Sequence, residues 1–172
     1  MKIAFTIAPG RGDTDLLLAG LADRLAAAGV VTCGTVQINS ECGGRGPCDM
    51  DVRVLPDGPL IRISQSLGPE ARGCRLDAGA LETATGLSEA RLDGADFVIV
   101  NKFGKQEAQG RGFRTLIAEA LAADIPVLVG LNGMNREAFD AFTGGLAAEL
   151  SPEMEALLAW AEAALGRDRD AA

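Results

Sequence analysis

The chain has no histidine and no tyrosine, and aromatic residues make up only 4% of its 172 positions. Without histidine there is no imidazole to serve as a general base near neutrality or as a metal ligand. With so few rings, the core has to be built mainly from Ala, Leu, Ile and Val. Basic residues are also scarce: 16 Lys and Arg stand against 24 Asp and Glu, a net charge of −8. Non-specific binding to nucleic acid or to an anionic membrane surface needs the opposite balance. No apolar run approaches the ~20 residues of a membrane-spanning helix. The N-terminus enters a strand pattern directly, without the apolar stretch and cleavage site of a signal peptide. The four Cys are unevenly spaced and form no CxxC pair. They are expected to be reduced thiols of a cytoplasmic protein, with Cys33 in the core. Cys48 and Cys74 read as small buried hydrophobes, and zinc binding with Cys42 is weakly supported.

What is present is a regular alternation of strands and helices. Residues 2–7 (KIAFTI) form a short apolar run. Residues 14–29 follow with helical spacing and end in glycine. Residues 30–38 are β-rich. Residues 50–55 and 60–64 flank Pro56-Asp-Gly-Pro59 as a hairpin. Residues 77–91 predict a helix. The continuous apolar run 97–100 (FVIV) fits a strand buried on both faces of a parallel sheet. A polar loop is expected over 101–112, a helix over 113–123 and a strand over 126–131. Residues 131–145 read as a loop with a short helix, whose Asn132 and Asn135 are candidate ligand contacts. A last helix over 151–166 is expected with Ser151 as its N-cap. The pattern implies one α/β domain over residues 1–166, with a mostly parallel sheet, a small hairpin insertion and a frayed tail over 167–172.

The first turn, Pro9-Gly-Arg-Gly-Asp-Thr14, stands between a strand and a helix, where a phosphate-binding loop belongs. In G-x-x-x-x-G-K-[ST], glycines turn backbone N–H groups toward phosphates, the lysine reaches the β and γ phosphates, and the hydroxyl ligates Mg²⁺. Here Gly12 and Thr14 fit the pattern, but Ile7 takes the first glycine position and Asp13 the lysine position. A carboxylate in place of an ammonium strongly disfavours a triphosphate. The bare alternative is a strand-to-helix turn capped by Asp13 or Thr14. The second motif is Asn101-Lys-Phe-Gly-Lys-Gln-Glu107, directly after the FVIV strand.

These segments resemble the THEP1-like P-loop nucleoside triphosphatases, with TGxPGxGKT at the loop and VDEIGxME at the second strand. The chain also resembles a bacterial family of unknown function, a divergent relative of that group. That family carries C-x-M-D-x-R-V-L-x-D-G, I-S-Q-x-L-G, G-C-R-L-D and N-K-F-G-K-x-E, found here over 48–58, 63–68, 73–77 and 101–107. Its members often lie beside molybdate-transport or nitrogenase genes. The resemblance implies a P-loop-NTPase-like three-layer fold and a link to molybdenum metabolism. It also aligns Asn101 with the metal-binding Asp of the second motif and Lys102 with the catalytic Glu. The chain has no intact Mg-nucleotide site by that comparison, and its cofactor is unknown.

Candidate ligand contacts are therefore Gly10, Arg11, Gly12, Asp13 and Thr14 in the loop, with Arg75, Asn101, Lys102, Lys105, Glu107 and Arg111. No catalytic residue and no metal ligand is expected. Asp13 is expected to pair with Lys102 or Lys105, unless these charges are simply solvated. Arg72, Arg75, Lys102, Lys105, Arg111 and Arg114 would form a basic pocket if their loops meet at the C-terminal edge of the sheet. Glu107 is either a surviving functional carboxylate or an acceptor for Arg111. Three functions stay open: a non-hydrolytic binding or regulatory protein for a small anion, a phosphatase using Lys102 or Lys105 for the missing lysine, and a protein-interaction module.

Overall fold

A computed structural model describes residues 1–39, 49–65 and 75–166. Seven strands form one sheet in the order β4-β3-β2-β5-β6-β1-β7. They are β1 (Ile3–Thr6), β2 (Thr32–Asn39), β3 (Met50–Val54), β4 (Leu60–Arg62), β5 (Phe97–Phe103), β6 (Val127–Leu131) and β7 (Ala148–Leu150). Five of them, β2, β5, β6, β1 and β7, run parallel, and β3 and β4 add an antiparallel edge. The helices are α1 (Asp13–Ala27), α2 (Ala78–Glu89), α3 (Lys105–Ala108), α4 (Arg114–Ala122), α5 (Arg136–Thr143) and α6 (Met154–Ala164). A 3-10 turn, Gly133–Asn135, precedes α5.

The two-residue period of the strands divides the core into two layers. Ile3, Phe5, Val98, Val100, Val127 and Val129 face one cluster, which includes Leu116 and Ile117 of α4 and Phe139 of α5. Ala4, Phe97, Ile99 and Leu128 face the other, with Leu18, Leu21 and Leu25 of α1 and Leu157 of α6. The result is an α/β/α sandwich with β5, β6 and β1 at its centre. The scarcity of rings is met by placing four of them together: Phe5, Phe103 and Phe142 gather around Phe139 and each other with centroids 5.1–5.8 Å apart.

Two sequence expectations change, and one strand is new. The polar stretch after FVIV does not start a loop: β5 continues through Asn101 and Lys102 to Phe103, and α3 follows at once. The expected hairpin is present as β3 and β4, and β3 pairs with β2, so that it extends the main sheet. A seventh strand, β7, adds to the free edge of β1. Ser151 does not cap the last helix, which starts at Met154 with Glu153 at its N-cap. The expectations for Cys42, Cys48, Cys74, Arg72 and the tail 167–172 fall outside the described residues. Cys33 is fully buried, donates its thiol to the Ser88 carbonyl at 3.2 Å, and has its pKa pushed up to about 11 by burial.

Candidate functional site

The parallel strands β1 and β5 bring the two motifs to the same edge of the sheet. The loop between β1 and α1 turns at Gly12, whose φ of 85° is the left-handed conformation that glycine adopts freely. Gly12 is also the N-cap, and no side chain caps the helix. Neither Asp13 nor Thr14 does so. The Thr14 hydroxyl instead accepts the Ala8 N–H at 3.0 Å, which ties the loop across its base.

Asp13 folds back over its own loop. The Asp13 carboxylate oxygen Oδ2 lies where a Cβ on Gly10 would stand, so a side chain at position 10 would displace the carboxylate from this place. The Asp13 side chain is exposed, and among the described residues it forms no ion pair. The expected pairing with Lys102 or Lys105 is therefore not made. The reason is geometric: the carboxylate turns toward Gly10, while Lys102 and Lys105 project into solvent from β5 and the first turn of α3.

A bulge in β5 places Lys102. Val100 pairs with Val129 and Phe103 with Leu131, so β5 has one more residue than β6 between these points. The bulged backbone presses on its neighbour, because a Cβ at Gly130 would strike the Asn101 carbonyl oxygen. Gly34, on the other side of β5, has φ 101° and would likewise strike the Ile99 carbonyl. Two glycines thus let β5 sit close between β2 and β6 at the point where the second motif begins.

Beneath the exposed loop is a buried polar triad. Asn101 is 4% exposed, Asp15 5% and Gln37 8%. Asn101 Nδ2 donates to Asp15 Oδ1 at 2.8 Å, and Gln37 Nε2 donates to Asp15 Oδ2 at 3.2 Å. The Gln37 backbone N–H donates to Asn101 Oδ1 at 2.8 Å. One carboxylate and two amides therefore join α1, β2 and β5. Asp15 was missed as a site residue. Its signal was its place on the buried stripe Asp15, Leu18, Ala22 and Leu25 of α1, where a charged group needs a polar partner.

These contacts test the fit of Mg²⁺, which the P-loop pattern implies. The Thr14 hydroxyl holds a backbone N–H, Asn101 is a neutral amide with its oxygen bonded to Gln37, and an exposed carboxylate, Asp13, stands where that pattern has a lysine. The donor set does not fit a metal-bound triphosphate. Among the described residues, no group of three or more Cys, Asp and Glu is placed to hold a metal ion.

The expected basic pocket divides into three places. Arg11, Lys102 and Lys105 are exposed near the loop edge of the sheet and make no ion pair among the described residues. Arg75 lies by the β3–β4 edge, where it reaches Asp49 at 3.4 Å and the Gln65 carbonyl at 3.3 Å. Arg111 lines a separate cleft of about 650 Å³ beside α2. Arg114 stacks on Phe142 at 4.3 Å and donates to the Glu107 carbonyl.

Glu107 is 2% exposed and does not bond Arg111, which donates to Gln109. Its two carboxylate oxygens accept the backbone N–H groups of Gly104 at 2.8 Å and Phe113 at 3.1 Å. It is the anchor around which residues 104–113 are wound. Burial raises its pKa and nearby Glu82 adds to the rise, against the lowering by its backbone donors. Asn132 accepts the Asn135 N–H and side-chain amide, so both asparagines serve the turn before α5.

No helix among the described residues is long and apolar enough to cross a membrane. The fold is similar to that in the solution structure of a human cancer-related nucleoside triphosphatase. The TM-score is 0.56 at 22% identity, with 87% of each chain covered. The chain is 38% identical over 160 residues to the molybdenum import ATP-binding protein ModC 2 of Bradyrhizobium diazoefficiens. The match takes in 92% of this chain but spans only 18% of that protein. Residues 3–160 match the model of a family described as a protein of unknown function, DUF2478, and the chain belongs to that family.

Proposed function

We propose that this chain is a non-hydrolytic, degenerate P-loop protein that binds a small anion and acts in a regulatory role alongside molybdenum import. The observation that carries the proposal is the commitment of the would-be metal ligands to the fold. Thr14 ties the loop to Ala8, and Asn101 ties β5 to α1 and β2. Phosphoryl transfer on this fold needs a metal, a lysine and a group that orients water. Asp13, Asn101 and Lys102 stand at those three positions and supply none of them.

The contacts proposed for the anion are the loop backbone from Gly10 to Gly12, with Arg11, Lys102 and Lys105 above it. Asp13 limits the affinity, because its carboxylate lies over the same loop. Arg75, Glu107 and Arg111 are left out of the contact set, since each is engaged elsewhere. The proposed unit is one domain over residues 1–166, a divergent branch of the P-loop group. The link to import rests on the relative with ATP-binding activity in its name, of which this chain covers a small part. Oxyanions such as molybdate are the proposed ligand class.

Calorimetric titration of the whole chain with molybdate, Mg-ATP and Mg-GTP tests this, with Asp13→Lys in parallel. The expected result is heat with molybdate, none with the Mg-nucleotides, and no phosphate release. Micromolar binding and hydrolysis of a Mg-nucleotide would overturn it and favour a phosphatase using the unpaired Lys102 or Lys105. Silence toward all three, with nucleotide binding gained in Asp13→Lys, would overturn the anion reading in favour of a loop closed by its own charge and used for a protein partner.

A further inference from the structure

Asp15 and Asn101 are bonded to each other, and each stands beside one half of the loop site. Asp15 lies in the first turn of α1, just after Gly12, Asp13 and Thr14. Asn101 is followed directly by the exposed Lys102.

The strand ladder gives out just before Lys102. β5 pairs with β2 as far as Thr35↔Val100, and its register with β6 shifts between Val100 and Phe103. Here the Asn101 side chain takes over. Its Oδ1 accepts the Gln37 N–H at 2.8 Å, in place of a backbone carbonyl of β5. Its Nδ2 donates to Asp15 at 2.8 Å. Its own carbonyl oxygen lies where a Cβ of Gly130 would stand. Asn101 is thus held from β2, α1 and β6 at once, and the direction in which the bulge sends Lys102 follows from it.

The loop half has the same need. Gly12 gives α1 no side-chain cap, and the Thr14 hydroxyl closes the loop only on itself, at Ala8. Asp15 carries the start of α1 across to β5 and β2, through Asn101 Nδ2 and Gln37 Nε2. These bonds are directional. A carboxylate only accepts, while an amide donates through nitrogen and accepts through oxygen. Changing one residue of the pair sets two amide nitrogens, or two carboxylates, against each other. Exchanging both keeps every bond. With Asp15→Asn and Asn101→Asp together, the amide at 15 donates to the carboxylate at 101 and accepts Gln37 Nε2. The carboxylate at 101 still accepts the Gln37 N–H.

We infer, resting on the anion reading of the loop, that Asp15 and Asn101 are a positioning pair. They hold the loop and Lys102 in fixed relation, so that an oxyanion meets contacts from both motifs already in place.

Molybdate calorimetry on the whole chain tests this in Asp15→Asn, Asn101→Asp, the double exchange and Gln37→Leu, with urea unfolding to show that each is folded. The sign of Asp15→Asn decides. It removes a negative charge, so electrostatics alone would tighten an anion. Positioning instead makes the folded variant bind roughly tenfold more weakly. Asn101→Asp should also weaken binding. The exchange has the net charge of the wild type and should return to within about threefold of its affinity, the non-additivity of a coupled pair. Gln37→Leu removes one donor to Asp15 at constant charge and should weaken molybdate by roughly threefold. It supplies the reading if Asp15→Asn does not fold. Equal or tighter binding by folded Asp15→Asn, unchanged binding by Gln37→Leu, or an exchange that binds no better than the single variants would overturn the positioning role. A wild type silent toward molybdate is a separate failure: it overturns the anion reading, and this role with it.

Discussion

Asp13 and Asp15 lie two residues apart at the start of α1, and the fold treats them in opposite ways. Asp15 is buried and accepts amide hydrogens from Asn101 and Gln37. Asp13 is exposed, lies over its own loop and forms no ion pair among the described residues. The same division holds on β5, where Asn101 is buried and the next residue, Lys102, is exposed. The site therefore has a floor that belongs to the structure and a rim that does not. Changes in the floor should cost stability. Changes in the rim should alter binding and leave stability alone.

Asn101→Leu should have the largest effect. It removes the donor to Asp15 and the acceptor of the Gln37 N–H together, and leaves buried polar groups short of partners. A loss of about 3 kcal/mol is expected from urea unfolding. Loss within about 0.5 kcal/mol would break the comparison, because Asn101 would then behave as a rim residue. Gly130→Ala comes next. Its new methyl would meet the bulged Asn101 carbonyl, and about 2 kcal/mol should be lost as the strands part.

Glu107 extends the floor to the loop over residues 104–113. Glu107→Ala removes the acceptor of two backbone N–H groups and should cost about 2 kcal/mol, again by urea unfolding. The pH dependence has a defined sign. Burial raises the folded pKa of Glu107 above its ordinary 4.5, so the folded protein holds this proton more tightly than the unfolded chain. That contribution is full below pH 4.5 and is lost as pH rises through the folded value. Relative to Glu107→Gln, which does not titrate, the wild type should lose stability over that window and level off above it. A constant difference across the window would show that Glu107 is not perturbed.

The smallest stability effects belong to the rim. Lys102→Ala and Lys105→Ala should change stability by no more than about 0.5 kcal/mol. Both should weaken molybdate binding in calorimetry. Asp13→Asn should strengthen it by roughly tenfold, since one like charge near the anion is removed. If Asp13→Asn instead destabilises the chain by about 2 kcal/mol or more, Asp13 belongs to the floor and the division fails.

Much of the layering was legible beforehand. The run FVIV announced a strand buried on both faces, and the spacing of Leu21 and Leu25 with Leu17 announced α1. The hairpin was marked by Pro56-Asp-Gly-Pro59. Other features were hidden for identifiable reasons. Residues Ala148–Leu150 have no apolar run, and β7 exists because the edge of β1 offers backbone partners. Asn101 and Lys102 are polar, so β5 looked shorter than it is. Of the candidate site, the loop and the second motif were correctly placed at one sheet edge. The single basic pocket was not, because Arg75 and Arg111 are carried away by the β3–β4 edge and by the segment before α4.

The amino-acid sequence alone determined the α/β class, the alternation of the main strands and helices, and which residues, Asp13, Asn101 and Lys102, stand at the two motifs. These follow from local periodicity and from residue identity, which need no partner to be read. The tertiary structure decided which charges are used. Asp13 turns back over Gly10, Asp15 reaches Asn101 across 86 positions of chain, and Glu107 gathers a loop around itself. A carboxylate's role depends on the donors that surround it and on whether water can reach it. Both are set by segments far apart in the chain.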